Sequence, residues 1–250
     1  MMRASVREKP LMGKGTILFV VGWLIAIIAF LIPMDIFGMS YMFSVHMSQH
    51  LLLSLVAPPL ILLGLRRESL QNFLDRHSLL QRCLALLTIP VVASLIFNGN
   101  IWLWHAPVLM RAMMSSAFLH DATNLLYLVT GFFFWCPLLG LTFGRKDLSL
   151  AGKLAYLFFS DMPMMLLGAG MTFSPPLYTF TMPHPAMQMA VSATDQQLGG
   201  LLMWVVGGVF LLVVVTSVLF LRWMLQQEKT QQEKDRLLIE EEAQASEPLV

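Results

Sequence analysis

The sequence predicts an all-α fold: a polytopic transmembrane helix bundle of about six spans, with both termini on the inner side. Three observations carry this. Of the 250 residues, 57 % are hydrophobic and only 12 % are charged, at a mean hydropathy of +0.70, whereas a soluble domain carries about 25 % charged residues. The apolar residues collect in long runs, and roughly 20 of them in a helix cross a hydrocarbon core about 30 Å thick. The basic residues are segregated, 15 of the 16 falling on one side of the alternating spans. A water-soluble globule is excluded, as is any disordered or nucleic-acid-binding class built on excess charge. Cys83 and Cys136 are too few for a disulfide framework or a four-thiolate metal site.

The first span is expected at 15–33. It follows Arg3, Arg7, Lys9 and Lys14 as a secretory signal would. The run is longer than a signal's apolar core, however, and no small-x-small cleavage site follows it, so a retained helix is expected. Further spans are expected at 42–64, 83–104, 118–141, 154–173 and 196–221. These are continuous runs, not alternating strands of about ten residues, which excludes an outer-membrane barrel. The segments divide into a cytoplasmic N-terminal stretch 1–14, a membrane domain 15–224 and a polar tail 225–250. An even number of spans places 1–14, the 65–82 and 142–153 loops and the tail together with all the basic residues except Arg111. The positive-inside rule makes that side cytoplasmic, hence N-in and C-in. The tail, rich in Gln, Glu and Lys around Leu237, Leu238 and Ile239, reads as a solvated helical extension fading into disorder, with a partner-binding helix as the alternative.

The chemistry lies in the histidines. His77 falls in a cytoplasmic loop; His46, His50, His105, His120 and His184 all fall at the outer face or in the outer part of a span. His46 and His50 are four apart, one turn above the other on one helix face, and a helix starting near Met42 carries them roughly 6 and 12 Å inward. Met42 extends that stripe. Imidazole with thioether is a donor set suited to copper, and Gln49 is placed to orient a ring. Against this stands a bland reading, in which a membrane histidine only hydrogen-bonds a neighbouring helix. Intramembrane ionisable groups are costly and usually functional, so the pair is read as a metal or haem site.

The other candidates follow in chain order. His105 ends the third span after Trp102 and Trp104, before Ala106-Pro107. His120 opens the fourth, with Asp121 beside it to cap or orient. Asp161 lies about a third of the way into the fifth span, two residues before Pro163, as a proton or cation way-station or a bond to a neighbouring helix. Asp195 opens the sixth span, where an acidic residue also complements the helix dipole. The glycines at 199, 200, 207 and 208 permit close helix contact that draws Asp195 toward the histidine helices. Nineteen methionines include Met34, Met39, Met110, Met113, Met114, Met171, Met182, Met187 and Met189 near the outer face, a vestibule suited to monovalent copper. Phosphate-loop, dinucleotide, nucleophile-elbow and HExxH motifs are missing.

The stretch from Phe43 through His46, Met47, Gln49 and His50 to Leu53, running on to Ala57-Pro58-Pro59-Leu60, resembles the signature of the CtaG family of caa3-type cytochrome c oxidase assembly factors. Trp104-His105-Ala106-Pro107 with His120, and Asp195-Gln196-Gln197-Leu198-Gly199-Gly200 running to Met203-Trp204, match its style. The likeness covers roughly 15–224. It implies a non-catalytic role in maturing a haem–copper terminal oxidase of a bacterial cytoplasmic membrane, with an oxidase subunit as partner and copper as cofactor. It extends to the motif positions His46, His50, His105, His120 and Asp195, which are read here as metal residues, with Met42, Gln49, His184 and Asp161 auxiliary on the residues alone. Members of that family are often drawn with seven spans against the six counted from the residues; the difference falls on 105–117, which reads as a short interfacial helix, too short to cross. Two other functions remain open on the residues: a haem protein using His50 and His120 as axial ligands, and a copper or proton transporter using Asp161.

Overall fold

The computed structural model describes residues 13–31, 43–178 and 193–245, and among them every regular element is helical. The helices are α1 Lys14–Leu31, α2 Phe43–Gly64, α3 Arg67–Asp75, α4 Ser78–Leu87, α5 Pro90–His105, α6 Pro107–Met114, α7 Ala117–Leu139, α8 Leu150–Phe173 and a long α9 over 193–245. Five of these are long and apolar enough to cross a membrane, or six if α4 and α5 are one broken span. Large apolar side chains such as Leu24, Ile28, Val91, Leu95, Phe159 and Leu166 stand exposed along the candidate spans. A helix satisfies all its own backbone polar groups, so it can present such a surface to lipid.

The expected span 83–104 needs correction: it is not one straight helix. Pro90 has no N–H to donate, and it pushes Ile89 into an extended conformation (φ −60°, ψ 128°). The chain therefore bends by 73° between α4 and α5. The expected loop 65–82 is largely helical too, in α3 and the start of α4. Segment 105–117 forms the short helix α6, with Pro107 at its first turn and Met110 and Met113 buried. The polar tail continues α9 as an exposed helix through Gln226–Glu240.

The prolines of α2 decide how the bundle closes. Pro58 and Pro59 lack the N–H groups that would bond the Ser54 and Leu55 carbonyls, and the helix widens to a π turn over Leu52–Val56. Trp135 of α7 donates its indole N–H to the freed Ser54 carbonyl at 3.2 Å. Gly131, one turn earlier, lets α7 approach so closely that a Cβ there would lie 2.7 Å from the same oxygen. The centre of the bundle is aromatic: Phe97 of α5 stacks on Phe134 of α7 at 4.5 Å, and Tyr156 of α8 donates to the Phe134 carbonyl at 2.9 Å.

The start of α9 is the second junction. Gly200 meets α8 at a crossing where a Cβ would fall 2.7 Å from the Gly168 carbonyl oxygen. Gln196, fully buried, accepts from Leu177 N–H at 2.6 Å and donates to the Met171 carbonyl at 3.1 Å. Trp204 donates to Thr172 Oγ1 at 3.1 Å. These contacts hold the first turns of α9 against the end of α8.

Candidate functional site

Because consecutive spans run in opposite directions, the start of α2, the end of α5, the start of α7 and the start of α9 meet at one end of the bundle. Four histidines come together there. His46 and His50, one turn apart on α2, bring their Nε2 atoms within 2.6 Å. The His46 ring lies 5.3 Å from the His120 ring, and the His50 ring 6.1 Å from that of His105, centroid to centroid. His46, His50 and His105 are all at least 95 % buried.

Each ring has a definable hydrogen-bond state. His105 Nδ1–H donates to the Ile101 carbonyl at 2.7 Å, so its Nε2 carries a lone pair, and that nitrogen faces Met47 Sδ at 3.2 Å. Between His46 and His50 one Nε2–H donates to the other. This spends both inner nitrogens and leaves His50 Nδ1 buried with no partner among the described residues. The Gln49 side chain lies beside His46 without a well-formed bond to its Nδ1; its amide donates to the Ala29 carbonyl of α1 at 3.2 Å. His120 Nδ1 faces Asp121 Oδ1 and Asn124 Nδ2, both at 3.5 Å, while its Nε2 is buried and unpartnered among the described residues.

Two tyrosines close the cluster. Tyr127 packs its ring on His50 at 3.9 Å, and Tyr178 stacks on Phe43 at 4.9 Å while donating to the His105 carbonyl at 2.9 Å. Tyr178 follows α8, and burial raises its hydroxyl to about 12. Neither tyrosine was singled out from sequence, nor was Met47. Tyr127 and Asn124 were findable, since His120, Asn124, Tyr127 and Gly131 form a single stripe on α7. Met47 lies off the His46–His50 stripe, and only its contact with α5 distinguishes it.

Asp195 is placed differently from the histidines. Its carboxylate accepts from Phe43 N–H at 2.6 Å, from Ser44 N–H at 3.2 Å and from Ser44 Oγ at 2.6 Å. The two backbone N–H groups are orphan donors at the start of α2, so Asp195 caps, from another helix, the element that carries His46 and His50. Asp161 does not join the cluster: it lies on α8 ten residues before Met171, roughly 15 Å along the axis. There it is buried against Gly208, and its Oδ2 has no partner among the described residues. Met42 and His184 lie outside the described residues, as do Met34, Met39, Met182, Met187 and Met189 of the expected vestibule. Met110, Met113 and Met171 are core residues.

Among the described residues no three His, Cys, Asp or Glu side chains converge as a preformed metal cage. The donors instead form close pairs.

A family model described as cytochrome c oxidase caa3 assembly factor (Caa3_CtaG) matches residues 1–226. No curated protein and no solved structure matches the chain. The chain belongs to the caa3 cytochrome c oxidase assembly factor family.

Proposed function

From that membership we propose that the chain is an integral, non-catalytic protein of a bacterial cytoplasmic membrane. In this reading it holds copper in its histidine cluster and passes it to a subunit of a haem–copper oxidase. The observation that carries the reading is the packing of His46, His50, His105 and His120 from three helices at one end of the bundle. The residues fit the ion. Burying ring nitrogens without partners, as at His50 Nδ1 and His120 Nε2, costs free energy that coordination with a tautomer change offsets. The donors are imidazole and thioether, which suit copper.

His46, His50, His105 and His120 are the ligand candidates, and Asp195 acts through the position of α2. N-in, C-in orientation, supported by the basic residues, puts the cluster at the outer face, where an oxidase copper centre is reached without crossing the bilayer. The haem reading fits less well: His46 and His50 touch each other, and His105 Nε2 touches Met47, which leaves no slot for a macrocycle between these rings. Asp161 lies too far along α8 to share the cluster, so the transport reading rests on a buried carboxylate apart from the histidines.

The test is metal and haem content of the purified protein in mild detergent, wild type against His46→Ala/His50→Ala. Copper near one per chain, lost in the double variant and without a Soret band, is the expected result. A wild-type protein that takes no copper after incubation with Cu(I) refutes copper binding and leaves assembly by scaffolding. A Soret band supports haem instead.

A further inference from the structure

The contact between Met47 and His105 is unlike the others in the cluster. His105 Nδ1 faces a carbonyl oxygen at 2.7 Å. A carbonyl only accepts, so the proton sits on Nδ1, and in the neutral ring Nε2 is a bare lone pair. That lone pair meets Met47 Sδ at 3.2 Å, and a thioether sulfur has no proton to give. Two electron-rich atoms therefore face each other closely in a site where both side chains are almost wholly buried. A proton on Nε2 would relieve the repulsion only by burying an imidazolium, a costly charge to hold away from water. A soft cation relieves it by binding both atoms, and donors at about 2.0 and 2.3 Å from one ion at a tetrahedral angle lie roughly 3.5 Å apart, so the pair need part by only a few tenths of an ångström to admit it.

The pair is also held in place for this. His105 is fixed on one side by Ile101 and at its backbone by Tyr178. Met47 sits between the His46 and His50 positions on α2, and its Cγ lies against Gly199 of α9, where a Cβ would come within 3.1 Å of it. Met47 is thus not a loose gap-filler: it is packed by α9 on one side and aimed at His105 on the other.

We propose that Met47 Sδ and His105 Nε2 form a soft donor pair beside His46 and His50, and that this pair makes the cluster select monovalent copper over divalent ions. Thioether sulfur favours Cu(I), whereas Zn(II) and Cu(II) are served well by imidazole alone. The inference rests on the copper reading above and adds a ligand and an oxidation state to it.

The test uses the full chain in detergent, wild type and Met47→Leu. Leucine matches methionine in volume, so the core is kept, and thermal unfolding of the metal-free proteins checks this. Affinity for Cu(I) is measured anaerobically by competition with a chromophoric chelator, affinity for Zn(II) separately, and X-ray absorption reports whether sulfur is bound to the copper. Wild type is expected to show a sulfur neighbour. In Met47→Leu that neighbour is lost and Cu(I) affinity falls by about tenfold or more, the scale on which metal-site residues act, while Zn(II) affinity stays within about threefold. Cu(I) bound to wild type with nitrogen neighbours only, or an unchanged Cu(I)-to-Zn(II) preference in Met47→Leu, overturns this inference and leaves the copper reading standing. No Cu(I) on the wild type overturns both.

Discussion

Replacing Asp195 separates a ligand from a cap. Asp195→Ala removes an acceptor that takes three hydrogen bonds from the start of α2: Phe43 N–H at 2.6 Å, Ser44 N–H at 3.2 Å and Ser44 Oγ at 2.6 Å. Hydrogen bonds to a charged group contribute about 1.5–3 kcal/mol each. Loss of a helix cap measured as a whole costs only about 0.5–2 kcal/mol, because water takes over part of the role. These bonds are part-buried, so the upper end of the cap range, about 2 kcal/mol, is the expected loss. For a chain of this size a kcal/mol moves Tm by roughly 2–4 °C, which gives a fall of about 4–8 °C. Asp195→Asn keeps an acceptor for the helix start and should lose less than half as much. The assay is thermal unfolding of the metal-free protein, with copper content measured alongside. Asn should retain copper while Ala loses it in proportion to the loosening of α2. If Asn strips copper as completely as Ala does with Tm held, the carboxylate is a ligand, and the capping argument is refuted. If Ala leaves Tm unchanged, the three bonds do not support α2.

Three other outcomes are expected. Trp135→Phe leaves the buried Ser54 carbonyl without its 3.2 Å donor, so stability should drop by about 1–3 kcal/mol with copper content unchanged; a thermal melt beside metal analysis checks both. Gly200→Leu places side-chain atoms where a Cβ already lies 2.7 Å from the Gly168 carbonyl, and α8 and α9 cannot separate without exposing Gln196 and Trp204. Yield of monodisperse protein should collapse, and a normal elution profile would show that the crossing tolerates bulk. Cys83 is exposed and Cys136 buried, and Cys83 lies on the side carrying the basic residues. A membrane-impermeant maleimide should label Cys83 in inverted vesicles but not in intact spheroplasts, and the reverse pattern would overturn N-in, C-in.

Part of the site was legible because helices in lipid obey simple rules. Apolar runs must be helical there, since no other open structure satisfies its backbone, and alternating spans carry His46, His105 and His120 to the same end whatever the packing. The i, i+4 spacing put His46 and His50 on one face of α2, within reach of each other. Pro90 carried a readable signal that the third span would break, and Pro58 and Pro59 a signal that α2 would lose two of its helical hydrogen bonds.

What the chain order alone determined is therefore the helical class, the segregation of charge and the end of the bundle at which the histidines lie. What only the tertiary structure decided is how each helix is turned about its axis. Lipid and protein core are equally apolar, so hydrophobicity does not set that rotation; it follows from close contacts between helices, here at Gly131 on Ser54 and Gly200 on Gly168. Those contacts aimed Met47 at His105, brought Tyr127 onto His50 and gave Asp195 to the start of α2. Each of these pairs joins residues more than fifty positions apart, and no local pattern encodes a meeting set by the packing of whole helices.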